Sequence, residues 1–167
     1  VVMRDGKIVQ IGTPMEIVTN PADDYVAEFV QDIPRGKVIE AHTIMVDPEL
    51  LLTHENSLEE AAEEMQKAEV GSAIVLNKFG QFGGIVNWQD LTDQLPKGGE
   101  LMDLVQTEVP TVSPTMPLEE CLALFAENDG PLPVTDPRHR LLGIITQSDL
   151  IGALQTDNVE SNGNGYA

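Results

Sequence analysis

The chain repeats itself. "GSAIVLNKFGQFGGIVNWQDL", from Gly71, lies over "GPLPVTDPRHRLLGIITQSDL", from Gly130. Gly130, Gly143 and Asp149 each stand 59 residues after Gly71, Gly84 and Asp90. Upstream, "SLEEAAEEM" lies over "PLEECLALF" at an offset of 60, so one residue is gained or lost late in the helix. An internal repeat of this length means two copies of one supersecondary unit. Neither copy can cover its own apolar surface, so the two must pack against each other.

Each copy reads in the same order. An extended piece opens it: "TIMV" (43–46) in the first copy, "VPTV" (109–112) in the second. A helix follows, because Leu58, Ala61, Ala62 and Met65 fall at i, i+3, i+4 and i+7, as do Leu118, Cys121, Leu122 and Phe125. Ser57 and Glu60 have the spacing of a capping box for the first of these helices. Two strands come next, "SAIVLN" and "GGIVN", then "LPVTD" and "LGIIT". Their turns hold Lys78-Phe79-Gly80 and Pro137-Arg138-His139-Arg140. A short helix closes each copy, "WQDLTDQL" and "QSDLIGAL". The fold class is α+β: two β-α-β-β-α units packed as a pseudo-symmetric pair.

The first 32 residues precede the repeat. "VVMRDGKIVQIG" reads as a hairpin turning at Asp5-Gly6. Thr13, Pro14 and Glu16 mark a helix start with a capping box. Asn20 and Pro21 mark a second start, with Asp23 and Asp24 at the positive end of the helix dipole and Tyr25, Val26, Phe29 and Val30 on one apolar face. A hairpin and two short helices are too little for an independent core. Because the chain opens inside strand-like sequence, it reads as a piece of a longer protein. Pro34 and Gly36 then break the helical pattern in "QDIPRGKVIEAH". The organisation is 1–32, a connector 33–42, a first repeat 43–96, a joining loop 97–107, a second repeat 108–154 and a polar, flexible tail 155–167.

Charge and cysteine usage exclude several roles. The net charge is −19, divided as −3 over residues 1–42, −9 over 43–107 and −7 over 108–167. Phosphate backbones and anionic surfaces repel such a chain, so nucleic acid is not its partner. The same charge either serves solubility or makes the surface responsive to ionic strength. One cysteine, Cys121, permits no intrachain disulfide and sits on an apolar stripe, where it is buried and inert. His42 and His54 are lone and lack metal-ligand spacing. His139, between Arg138 and Arg140, belongs to a hairpin turn and is either a solvated loop residue or a contact for an anion. Glu59, Glu60, Glu63 and Glu64 form a solvated face opposite the apolar stripe of their helix, or a patch whose self-repulsion salt relieves.

The repeat resembles a tandem pair of CBS domains, over residues 43–154. The resemblance rests on "PLEECLALFAENDGPLPVTD", "LLGIITQSDLIGAL" and the closing pattern of glycine, two apolar residues, three others and Asp-Leu. It implies a regulatory module that dimerises through its CBS pairs and takes adenosine-containing ligands between the copies: AMP, ATP or a cyclic dinucleotide. "VVMRDGKIVQIGTPMEIVTNPADDYVAEFV" resembles the end of an ABC transporter ATPase domain. That order of segments resembles the ATP-binding subunit of glycine betaine/proline uptake systems. The resemblance implies an upstream ATPase domain, a transporter membrane subunit as partner and a place on the cytoplasmic side of the bacterial inner membrane. The chain contains no G-x-x-x-x-G-K-[ST] phosphate loop and no signature motif. By itself it is expected to be no enzyme.

Two readings stand open for "GIITQSDL", Gly143 to Leu150. Thr146 and Asp149 can cap the closing helix. The same helix start can also receive a phosphate, with Asp149 accepting hydrogen bonds from a ribose diol. The family resemblance adds Thr111 and Val112 from the extended piece and Pro133 before the strand as the lining of a base pocket. The first copy has Asn87 in place of Thr146, which predicts a cap without a ligand there. Trp88, beside it, either fills the cleft or stacks.

Overall fold

A computed structural model describes residues 1–128 and 130–155. The tail read as flexible lies outside the described residues, except for Gln155, which ends a helix.

The hairpin forms as read. β1 (Val2–Arg4) and β2 (Lys7–Gln10) pair antiparallel, and the turn needs φ of 49° at Asp5 and 74° at Gly6. Both angles are left-handed, as a two-residue turn of this kind requires. α1 (Pro14–Thr19) starts on the capping box: the Glu16 amide donates to Thr13 Oγ1 at 3.2 Å and the Thr13 amide to Glu16 Oε2 at 2.7 Å. The second start is corrected. α2 runs Asp24–Val30 with Asp23 as its cap, accepting from the Val26 amide at 2.9 Å. Asn20 instead ends α1, and the Asn20–Ala22 backbone is held by the Gln10 side chain. Val2, Val18, Val26 and Val30 make a small buried cluster, but Phe29 is 61% exposed and leaves the predicted apolar face.

The connector is not a structural break. It holds α3 (Arg35–Val38) and a 3-10 turn, Ala41–Thr43. Pro34 opens α3 rather than ending a helix, and its carbonyl accepts from the Lys37 amide at 3.0 Å. Ile39 and Ala41 are buried in the core of the second repeat.

The first repeat is β3 (Leu51–Thr53), α4 (Leu58–Ala68), β4 (Ser72–Leu76), β5 (Phe82–Asn87) and α5 (Trp88–Gln94). β3 is parallel to β4, and β4 is antiparallel to β5. α4 buries Leu58, Ala61, Ala62 and Met65, and the Ser57–Glu60 capping box forms with bonds of 2.9 and 3.1 Å. Each large apolar side chain fully buried in this way contributes roughly 1.5–3 kcal/mol. The second repeat has α6 (Leu118–Phe125), β6 (Leu132–Thr135), β7 (Leu141–Ile145) and α7 (Gln147–Gln155). Val112 makes a single parallel bridge to Val134, where the first copy has β3. α6 buries Leu118, Cys121 and Phe125, whereas Leu122, placed on the apolar stripe by its spacing, is 48% exposed.

The opening segments cross over. Val46, in "TIMV", exchanges both backbone hydrogen bonds with Ile144 of the second repeat, at 2.9 and 2.8 Å. Gln106 does the same with Ile85 of the first, at 2.8 and 3.1 Å. "TIMV" is thus not the counterpart of "VPTV", as its position suggested; Leu51–Thr53 is. Leu101 and Val105 fill the first core, as Ile39 and Ala41 fill the second. Ile74, Ile85 and Ile144 form the buried seam between the repeats. The two hairpin turns also join, with the Phe82 amide donating to the His139 carbonyl at 2.9 Å and Gln81 Nε2 to the Arg138 carbonyl at 2.8 Å.

Candidate functional site: two clefts between the repeats

The crossover leaves a cleft on each side of the seam. The first is about 400 Å³. Val46 to Leu50, which lead into β3, form one wall. Glu69 to Ile74, running from the end of α4 into β4, form another, and Ile144, Thr146 and Gln147 close the third. The second cleft is about 500 Å³ and is the pseudo-symmetric counterpart, lined by Gln106 and Val109, by Glu127, Asn128, Gly130 and Pro131, and by Ile85 and Asn87. Gly71, Ser72, Gly130 and Pro131 line both, so the clefts share a floor. These volumes suit a small organic molecule.

Thr146 lines the first cleft, but its polar atoms are engaged. Thr146 Oγ1 donates to Asp149 Oδ2 at 2.6 Å, and the Thr146 amide donates to the same oxygen at 3.0 Å. The Asp149 amide donates back to Thr146 Oγ1 at 3.2 Å. The pair is a closed capping box at the start of α7, and Asp149 itself is not part of the cleft lining. Asn87 behaves differently. It holds the cap position of α5, yet its side chain makes no capping hydrogen bond and faces the second cleft. Thus the copy expected to be only a cap has the uncommitted polar group.

The other residues singled out from sequence are elsewhere. Val112 is buried in the second core, Pro133 is buried on β6 and Thr111 is half-buried beside Val112; none lines either cleft. Trp88 packs against the first core rather than filling a cleft. His42 Nδ1 lies 3.0 Å from the Pro114 carbonyl and 3.3 Å from Glu40 Oε2, so it ties the connector to the second repeat. The walls contributed by Val46–Leu50 and Gln106–Val109 were missed. Their only signal was the 60-residue offset of Val46 and Gln106, which becomes visible once the opening strand is placed at Leu51.

Electrostatically, the clefts are one-sided. Asp47, Glu49 and Glu69 line the first and Glu127 the second, and among the described residues no Lys, Arg or His lines either one. Glu69 ends α4 with φ 56°, a left-handed conformation that turns the chain sharply into the cleft wall. The basic side chains of the second repeat cluster at the β6–β7 turn. There Arg140 Nη2 and Nε both lie 2.7 Å from Asp136 Oδ2, and the Arg138 and Arg140 amides donate to Oδ1 at 2.8 and 2.9 Å. The Arg140 amide chiefly, with the Arg140 guanidinium and the Arg138 amide, holds the Asp136 carboxyl below its ordinary range against some desolvation.

Comparison with known proteins places this geometry. The model of the CBS domain family matches residues 39–97 and 101–156. The glycine betaine transport ATP-binding protein OpuAA of Bacillus subtilis is 33% identical over 165 residues, 99% of this chain and 39% of that protein. The chain spans 39–41% of the length of the curated relatives it matches. The structure of Staphylococcus aureus OpuCA superposes with a TM-score of 0.62 at 21% identity, covering 69% of this chain and 98% of that one. The cytosolic domain of the Mg2+ channel MgtE in complex with ATP gives a TM-score of 0.62 at 25% identity, covering 79% of this chain and 55% of that one.

Proposed function

The chain belongs to the CBS domain family, and on that premise we propose that it is the regulatory end of the ATP-binding subunit of an osmoprotectant (glycine betaine/proline) ABC importer. One observation carries this: the likeness to the Bacillus subtilis protein runs through 99% of the chain, hairpin and short helices included. The proposal places the chain at the cytoplasmic face of the bacterial inner membrane, bound to an upstream ATPase domain and through it to a membrane subunit. Among the described residues no helix is long and apolar enough to cross a membrane itself.

The module acts by favouring one arrangement of the ATPase over another. Its net charge of −19 makes that preference depend on ionic strength, since salt screens exposed charges over roughly 8–10 Å. A signal shifts such an equilibrium only by the difference in its free energy with the two states. Leu122 and Ile151, each 48% exposed on α6 and α7, supply apolar area for pairing with a second copy. The clefts favour a second reading, an adenine-containing signal, which the MgtE complex with ATP supports.

The attachment is tested by reading the coding sequence upstream of Val1. A frame carrying G-x-x-x-x-G-K-[ST] and an acidic magnesium-binding strand is the expected result; a stop codon close upstream would refute it. Gating is tested in the assembled transporter, by removing residues 43–154 and following transport against salt.

A further inference from the structure

We infer that residues 34–43 are a rigid coupling between the N-terminal helices and the second repeat, so that the second repeat, rather than the first, passes its arrangement to the upstream domain. This rests on the gating reading above and gives it a route.

Adjacent residues serve two cores. Val38, at the end of α3, packs against the buried cluster of Val2, Val18, Val26 and Val30. Ile39, the next residue, is 4% exposed and lies in the core of the second repeat with Leu118, Cys121 and Phe125. One trans peptide unit, about 3.8 Å from Cα to Cα, therefore joins the two cores and leaves no slack between them.

The backbone beyond that point is held. The Leu118 amide donates to the Ile39 carbonyl at 3.0 Å, the Ala41 amide to the Met116 carbonyl at 2.8 Å and the His42 amide to the Pro114 carbonyl at 2.9 Å. These bonds lay the connector along the segment that leads into α6, with a bridge between Glu40 and Pro117. A flexible linker keeps its backbone in water; this one pairs it with the repeat. Thr43 Oγ1 donates to Met15 Sδ at 3.3 Å, a weaker second tie from the far end of the connector back to α1. Lys37 and Glu119 lie 4.0 Å apart, but both side chains are more than half exposed and the pair adds little.

Gly36 sets how closely α3 approaches the repeat. A Cβ there would sit 3.5 Å from Glu119 Cβ and from the Glu119 amide nitrogen, and 3.6 Å from Leu154 Cδ2. An alanine fits at that distance. A leucine extends past it, into the start of α6 and the end of α7, where close packing leaves no room. The first repeat has no comparable tie. Among the described residues, its core draws nothing from residues 1–43. Coupling travels through packed and hydrogen-bonded elements of this kind, and here they lead to the second repeat alone.

Uptake by the assembled transporter against internal salt tests this, with Gly-Ser-Gly-Ser inserted at one of two places. Between Val38 and Ile39 the insert lets the two cores move independently, and the salt response should be lost, as on removing residues 43–154. Between Gly98 and Gly99, in the exposed loop joining the repeats, the insert should leave the response intact. Gly36→Ala should keep the response and Gly36→Leu should weaken it. A response that survives the insert after Val38, in a transporter that loses it with residues 43–154, would overturn the coupling and leave gating standing. Loss at both insertion points would overturn it as well. If the response survives removal of residues 43–154, gating falls, and amide hydrogen exchange in this chain decides the coupling. The insert after Val38 should then speed exchange in α2 about tenfold or more and leave α6 unchanged, since only the N-terminal cluster loses its anchor. Exchange in α2 indifferent to the insert would overturn the coupling.

Discussion

Thr146 and Asn87 occupy equivalent positions and do different work. Thr146 closes a reciprocal box with Asp149, while Asn87 holds the cap position without a capping bond. Substituting a cap residue that makes its bond costs about 1 kcal/mol. Thr146→Ala should therefore lower the urea midpoint by that measure, Thr146→Ser should restore it, and Asn87→Ala should change it little. Asp136 sets a second expectation. Hydrogen bonds hold its carboxyl below the ordinary value, 3.8, so its contribution is present above that value and lost as pH falls through the lower folded value. Stability measured from pH 6 down to pH 2 should decline less steeply in Asp136→Asn than in the unsubstituted chain. An identical acid limb in both would show that the β6–β7 turn does not depend on the carboxylate.

The opening segments decide how the elements assemble. Residues 39–46 pack on the second repeat and residues 101–106 on the first, so each copy is completed by the other's leader. Gly84 makes one of these crossings possible. Its φ is +146°, and a Cβ there would collide with the Gln106 carbonyl oxygen. Gly143, its counterpart, has an ordinary φ and would set a Cβ 2.9 Å from the Val46 carbonyl oxygen. Gly84→Ala should cost on the order of 3 kcal/mol, from an unfavourable φ and a backbone clash together, and Gly143→Ala about 1 kcal/mol. Equal losses in urea unfolding would contradict this account of the crossing. Helices and hairpins were legible because local signals fix them: Ser57 with Glu60, Asp5 with Gly6, the spacing of Leu58 to Met65. The crossing was not, because "TIMV" and "LLT" are both short and apolar, and only a distant partner distinguishes them. Asn20-Pro21 misled for a related reason. The motif is a good helix start, but Gln10 holds that backbone and Asp23 caps better.

At the scale of the molecule, two repeats make one body. Trp88 packs on the first core and Cys121 lies in the second, its thiol pushed above the ordinary value by burial. If the crossed leaders join the cores, tryptophan fluorescence and thiol reactivity should report the same urea midpoint; separated midpoints would mean that the repeats unfold independently. Of the clefts, the sequence revealed the pseudo-symmetry and Thr146. It concealed the walls, which come from segments about 20 to 100 residues away from one another in the chain, and it left both readings of Thr146 and Asp149 open, where the structure closes a capping box between them. The charge was legible throughout, and it bears on the main functional claim, that this module makes an importer sensitive to ionic strength. The most direct test is uptake by the assembled transporter in vesicles across a series of internal salt concentrations, with residues 43–154 present and removed. The account predicts that uptake rises with salt in the intact complex and becomes indifferent to salt in the shortened one. Salt activation that survives the deletion would contradict it.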